Sequence, residues 1–110
     1  MLLSQLLPLA LVTLAVAEKA QIIFYGEIYY QDYRGVDILG FPDAQNKCIY
    51  VKYYLGGVPA KSARISSGSV CHLYKDEQCG GDAATILTED TKVIPYMQWG
   101  HSVRCTFPVA

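Results

Sequence analysis

Residues 69–82 read Ser69-Val70-Cys71-His72-Leu73-Tyr74-Lys75-Asp76-Glu77-Gln78-Cys79-Gly80-Gly81-Asp82. Residues 69–75 predict a strand. Successive side chains of an extended chain alternate between faces, so Cys71 and Leu73 share one face and His72 takes the other. Cys79-Gly80-Gly81-Asp82 then predicts the turn into the next strand, because glycine accepts the positive φ such turns demand.

Working outward, turn residues recur about every eight to twelve positions, the spacing of short strands. Strands are predicted at 20–33, 35–39, 47–54, 61–67, 69–75, 83–88, 91–96 and 101–107, with a short helix as the alternative for residues 83–90. Gly35, Gly40-Phe41-Pro42-Asp43 and Gly56-Gly57-Val58-Pro59 punctuate them. No heptad or long helical stripe interrupts the pattern. Eight short strands with long connections predict an all-β fold, a two-sheet Greek-key β-sandwich.

The chain has 110 residues, enough for one small domain. Met1 to Ala17 carries no charged side chain; an apolar run from Leu6 ends in Ala15-Val16-Ala17, and charge begins with Glu18 and Lys19. This pattern predicts a secretory signal peptide over residues 1–17 and a secreted, extracellular domain over residues 18–110. The run is too short, and too interrupted by Pro8, for a membrane anchor, so no span is expected once the signal is removed.

All four cysteines, Cys48, Cys71, Cys79 and Cys105, lie beyond the predicted cleavage site. An even count in a small exported domain predicts two disulfides, with three connectivities open. The gaps between them hold 22, 7 and 25 residues, so no C-x2-4-C pair suggests zinc. No metal and no cofactor is expected. Net charge is −1, with the basic residues scattered, which argues against a nucleic-acid partner.

Catalysis needs an activated nucleophile, a tuned acid–base pair or a metal. His72 and His101 are the only histidines, and neither has a partner at a recognisable spacing. Asp76-Glu77 and Glu89-Asp90 fall at turns, where acids are ordinarily solvated. Asn46-Lys47-Cys48 is a weak Asn-x-Cys glycosylation triplet whose cysteine is expected to be bridged. The chain is therefore expected not to be an enzyme.

Nine tyrosines carry the remaining signal. As strand neighbours, Tyr29-Tyr30 and Tyr53-Tyr54 would each place one ring on each sheet face. Tyr29, Tyr30, Tyr33, Tyr53 and Tyr54 are thus the candidate binding surface, since tyrosine supplies rigid apolar area and a hydroxyl.

The two halves, about 18–67 and 68–110, also look alike. Tyr30-Gln31-Asp32-Tyr33-Arg34-Gly35 is similar to Tyr74-Lys75-Asp76-Glu77-Gln78-Cys79-Gly80-Gly81, and each half closes on a Ser-containing segment, Ser62-Ala63-Arg64-Ile65 or His101-Ser102-Val103-Arg104. At these residues the chain resembles the βγ-crystallin-like Greek-key domains, and more narrowly their small cysteine-bearing secreted versions from filamentous fungi. Tyr74, Cys79 and Gly81 fit that family's aromatic-x4-(aromatic or Cys)-x-Gly hairpin, and Ser102-Val103-Arg104-Cys105 fits its last strand. In the first half Tyr33-Arg34-Gly35 fits, but Ile28 stands where the aromatic belongs.

The resemblance makes the first and last strands of a Greek-key unit neighbours, which implies Cys71–Cys105 and leaves Cys48–Cys79. Many members bind calcium through an Asn/Asp-Asn/Asp-x-x-Ser/Thr-Ser segment. Here those positions hold Gly57, Val58, Pro59 and Ala60, and Met97, Gln98, Trp99 and Gly100, so the calcium site is not carried over. The functional expectation is a small secreted non-catalytic interaction protein, a fungal effector acting on a host through an extracellular or host protein or glycan. The alternatives are a secreted toxin or antimicrobial protein acting on competing cells, and a structural cell-wall or matrix protein.

Overall fold

The computed structural model describes residues 20–109, so the predicted signal peptide and its cleavage site lie outside the described residues. Seven strands are present among them: β1 (Ile22–Tyr25), β2 (Val36–Asp37), β3 (Cys48–Ile49), β4 (Ser62–Ile65), β5 (Val70–Tyr74), β6 (Thr85–Leu87) and β7 (Ser102–Thr106). A single helical turn, α1 (Val51–Tyr54), follows β3, and three-residue 3-10 turns cover Ile28–Tyr30, Ile38–Gly40 and Tyr96–Gln98. No helix among the described residues is long and apolar enough to cross a membrane.

The strands form two antiparallel sheets, ordered β2-β1-β4 and β3-β7-β5-β6. β3 leaves the sheet of its sequence neighbours and pairs with β7 in the other, Cys48 opposite Arg104 and Ile49 opposite Val103. That crossing ties the early strands to the late ones, in the manner of a Greek-key sandwich. Inward positions alternate as strands require. Ile22 and Phe24 of β1, Cys71 and Leu73 of β5, and Val103 and Cys105 of β7 are fully buried. They join Ile38, Ile49, Val51, Leu55, Ala63, Ile65 and Ile94 in one cluster that both sheets share.

Four predicted strands need correction. The strand predicted over 20–33 stops at Tyr25. Gly26 is buried so closely that a Cβ there would lie 2.6 Å from Val58 and 2.7 Å from Asp32, and Tyr29 and Tyr30 take φ values of 56° and 60°, which no strand allows. The strand predicted over 35–39 is only Val36–Asp37. The Asp37 carboxylate then accepts from the Leu39 N–H and starts a 3-10 turn. Over 47–54 only Cys48–Ile49 is extended before the chain coils into α1.

The strand predicted over 91–96 is reduced to one bridge on the outer side of β4, where Ala63 and Thr91 exchange hydrogen bonds of 3.0 and 2.8 Å and the Ile94 N–H donates to Lys61 O at 2.9 Å. Pro95 follows and has no N–H to extend that ladder. Over 83–88 the chain is strand β6, not the alternative helix.

Two disulfides staple the sheet of β3, β7, β5 and β6. Cys71–Cys105 joins directly opposite residues of β5 and β7 with their Cα atoms 4.0 Å apart. Cys48–Cys79 joins β3 to the loop after β5 across 6.0 Å. This is the pairing the resemblance implied.

Candidate functional site

The two hairpin loops that follow β1 and β5 are locked alike. Ser102 opposes Tyr74 in the sheet; its Oγ donates to Asp76 O and accepts from the Cys79 N–H at 3.0 Å. Ser62 opposes Tyr25; its Oγ donates to Glu27 O and accepts from the Tyr30 N–H at 3.1 Å. Tyr30 and Cys79 both adopt left-handed φ, 60° and 58°.

Tyr25, Tyr30 and Asp32 are therefore the counterparts of Tyr74, Cys79 and Gly81. This moves the internal match from the predicted Tyr33-Arg34-Gly35 to an earlier register. The Tyr25 and Tyr30 rings meet edge-to-face at 5.7 Å, where the other half has a disulfide sulfur.

Asp32 fills the place of the glycine and is buried. Its carboxylate accepts from the Gly26 N–H at 3.2 Å, the Arg34 N–H at 2.9 Å and the Arg34 guanidinium at 3.3 Å. Burial works to raise its pKa, but the Arg34 hydrogen bonds and charge and the Gly26 N–H outweigh it and hold the carboxyl below its ordinary value.

The five candidate tyrosines sit in different surroundings. Tyr30 is half-buried under the Arg64 guanidinium, which lies 3.9 Å from its ring centroid. Burial, reinforced by the nearby Asp90 charge, raises its phenol. Tyr29 is exposed, held by its N–H donating to Lys92 O at 2.8 Å. Tyr33 stands 92% exposed beside Arg34. None of the aromatic pairs among the described residues joins these three to Tyr53 and Tyr54.

Tyr53 and Tyr54 do come together. The expectation of one ring on each sheet face fails because α1 is a helical turn. Val51 and Leu55, four apart, are both fully buried and anchor its inner side, so the tyrosines between them turn outward. Tyr53 is 70% and Tyr54 48% exposed, and their rings cross at 90° with centroids 5.1 Å apart. Phe41, from the turn after Ile38–Gly40, meets Tyr54 at 5.1 Å and 78°.

These rings line an open cleft of about 230 Å³ together with Lys47, Cys48, Ile49 and Tyr50. The Tyr50 hydroxyl donates to Glu77 at 2.9 Å, a bond that raises the phenol pKa. The Lys47 ammonium donates to Pro42 O at 3.0 Å. No carboxylate lines the cleft. Phe41 and Lys47 were not singled out from the sequence, and Tyr50 belonged to the tyrosine cluster near the third strand without being among the five candidates. Phe41 sits in a Gly-Phe-Pro turn, a place where an aromatic side chain has no strand to cover, and that was the available signal.

Two further carboxylates are engaged in folding. Asp76 accepts from the Gln78 and Gly80 N–H groups at 2.7 and 3.0 Å, and Asp90 from the Ile65 N–H at 2.7 Å. Asp90 and Glu89 flank an open hollow of about 460 Å³ with Ile65, Ser67 and Thr88. His72 is half-buried opposite Ile86 and Arg104. Burial, then the Lys52 charge, lowers the pKa of His101. Ile28, Val93, Tyr96 and Met97 are also exposed apolar side chains that were not foreseen.

No protein-family model matches the chain, and no curated protein matches it. Solved structures do. The N-terminal domain of protein S superposes with a TM-score of 0.61 at 19% identity, covering 82% of this chain and 100% of that one. A βγ-crystallin domain from Flavobacterium johnsoniae gives 0.59 at 20% identity over 81% and 97% of the two chains. One from Clostridium beijerinckii gives 0.57 at 20% over 80% and 98%. At this identity the likeness is one of architecture, and it agrees with the strand crossing and the two serine-locked loops: the chain has the βγ-crystallin fold.

Proposed function

We propose that this chain is a small secreted, non-catalytic interaction protein of the fungal cysteine-bearing crystallin-like kind, an effector that recognises a partner outside the cell that makes it. The observation that carries this reading is the cleft at α1. Aromatic rings that folding would ordinarily cover are held in water at Tyr53 and Tyr54, on a turn pinned from below by Val51 and Leu55 and at its side by Cys48–Cys79. Rigid aromatic area presented in that way suits recognition at low entropic cost. Two disulfides in so small a domain suit an oxidising compartment. One acid of each turn pair, Asp76 and Asp90, is instead bonded to backbone N–H groups.

The test is expression of the full chain in a fungal secretory host, followed by binding of the exported protein to extracts of candidate host tissue. The reading expects a disulfide-bonded product in the culture fluid, trimmed after Ala17, that binds saturably. Absence from the fluid, or no saturable partner, would overturn it. Firm retention in washed walls of the producing cells would replace it with a structural wall role.

A further inference from the structure

We infer that the cleft at α1 takes a pyranose ring of a glycan; this rests on reading the chain as an interaction protein. Its lining combines flat apolar rings with hydrogen-bonding groups: Phe41, Tyr53 and Tyr54 with phenol hydroxyls and the Lys47 ammonium. A pyranose presents the complementary pair, a face of C–H bonds polarised to be slightly positive and an equator of hydroxyls. The negative face of an aromatic ring attracts such C–H groups, as it attracts cations. Tyr54 crosses both Phe41 and Tyr53 near right angles. That makes an angular notch rather than a flat strip, and it suits a compact ring.

Size points the same way. At about 230 Å³ the cleft is smaller than the roughly 300–1,000 Å³ of pockets for drug-sized ligands. It matches one or two sugar units of a longer chain running into solvent. Charge disfavours the other ligand that aromatic notches take. A quaternary ammonium would meet the Lys47 ammonium, while the Glu77 carboxylate beside the cleft is already engaged by the Tyr50 hydroxyl. A proline-rich peptide needs an extended row of aromatic ridges. Here the rings cluster around one turn.

The experiment titrates the oxidised full chain with hexasaccharides of glucose, of N-acetylglucosamine and of galacturonic acid, followed by calorimetry and by NMR of the tyrosine rings. The inference expects at least one to bind saturably and to shift the Tyr53 and Tyr54 resonances. Tyr53→Ala and Tyr54→Ala should each weaken binding about ten-fold, the effect of removing one well-placed aromatic contact. Tyr53→Phe should retain most of it, and Tyr96→Ala, which removes an exposed aromatic elsewhere, should leave it unchanged. A preference for galacturonate that Lys47→Ala abolishes assigns an acidic sugar; a preference for the other two that Lys47→Ala leaves intact assigns a neutral one.

Binding that survives Tyr53→Ala and Tyr54→Ala overturns the inference, as does no binding of any hexasaccharide. If a proline decamer or a host protein binds and the sugars do not, the glycan assignment falls while the interaction reading stands. If the exported chain has no saturable partner of any class, both fall.

Discussion

At the scale of single residues, two buried hydroxyls hold most of the leverage. Ser62 and Ser102 each donate to one loop carbonyl and accept from one loop N–H. Replacing either by alanine leaves both loop groups short of a partner, and a buried unsatisfied group costs about 1–3 kcal/mol. Ser62→Ala and Ser102→Ala are each predicted to lose about that much in urea unfolding, with the loops loosening first in hydrogen exchange. Those serines were visible in the sequence only as similar segments closing each half. Their partners lie 23 to 35 residues away, beyond what local pattern can show.

Asp32 gives the residue-scale pH dependence. Its folded carboxyl lies below its ordinary value. Its stabilisation is therefore complete above the unfolded pKa, about 3.9, and is lost as pH falls through the folded pKa. Urea midpoints between pH 6 and pH 2 should fall more steeply for the native chain than for Asp32→Asn. Equal acid limbs would contradict the hydrogen bonds drawn to Arg34 and Gly26.

At the scale of elements, the segment from β3 through α1 governs the site. A strand of two residues has little ladder of its own, so it depends on its neighbours: the pairing with β7, the Cys48–Cys79 bridge, and the burial of Val51 and Leu55. Closing loops of 31 and 34 residues, each disulfide restricts the unfolded chain by about 3–4 kcal/mol. They differ in access. Cys71 and Cys105 are fully buried, while Cys48 and Cys79 are partly exposed. Thiol exchange needs access to the sulfur. Limited reduction followed by alkylation and peptide mapping should open Cys48–Cys79 first; opening of Cys71–Cys105 first would contradict the burial.

This segment also shows where sequence reading stops. Lys47 to Tyr54 is rich in aromatic and β-branched residues, which favour a strand. The tertiary demand to bury Val51 and Leu55 together overrode that preference. The short pairing at Thr91 is the converse case. A strand was legible there, but Pro95 and the chain's departure to Tyr96–Gln98 cut it to one bridge.

At the scale of the whole molecule, the exchange of β3 into the opposite sheet makes one core out of two similar halves. The two-sheet Greek-key class could be read from residues 69–81, because strand alternation, turn glycines and the spacing of Tyr74, Cys79 and Gly81 are local facts. The first half was read in the wrong register because Asp32 replaces the glycine. Only the locking of Tyr30 by Ser62 reveals the match. The site was half legible. Tyrosine excess named Tyr53 and Tyr54, but Phe41 and Lys47 reach them only through the fold.

The most direct test of the account compares the native chain with Tyr53→Ala/Tyr54→Ala and with Tyr30→Ala, scoring thermal unfolding and saturable binding to the same partner fraction. Tyr30 is packed between Tyr25 and Arg64, so Tyr30→Ala should lower the melting temperature by several degrees. Tyr53 stands largely and Tyr54 about half in water, so the double variant should melt within about 3 °C of the native chain yet lose its binding. A double variant that binds as the native chain does would contradict the claim that this cleft is the recognition site.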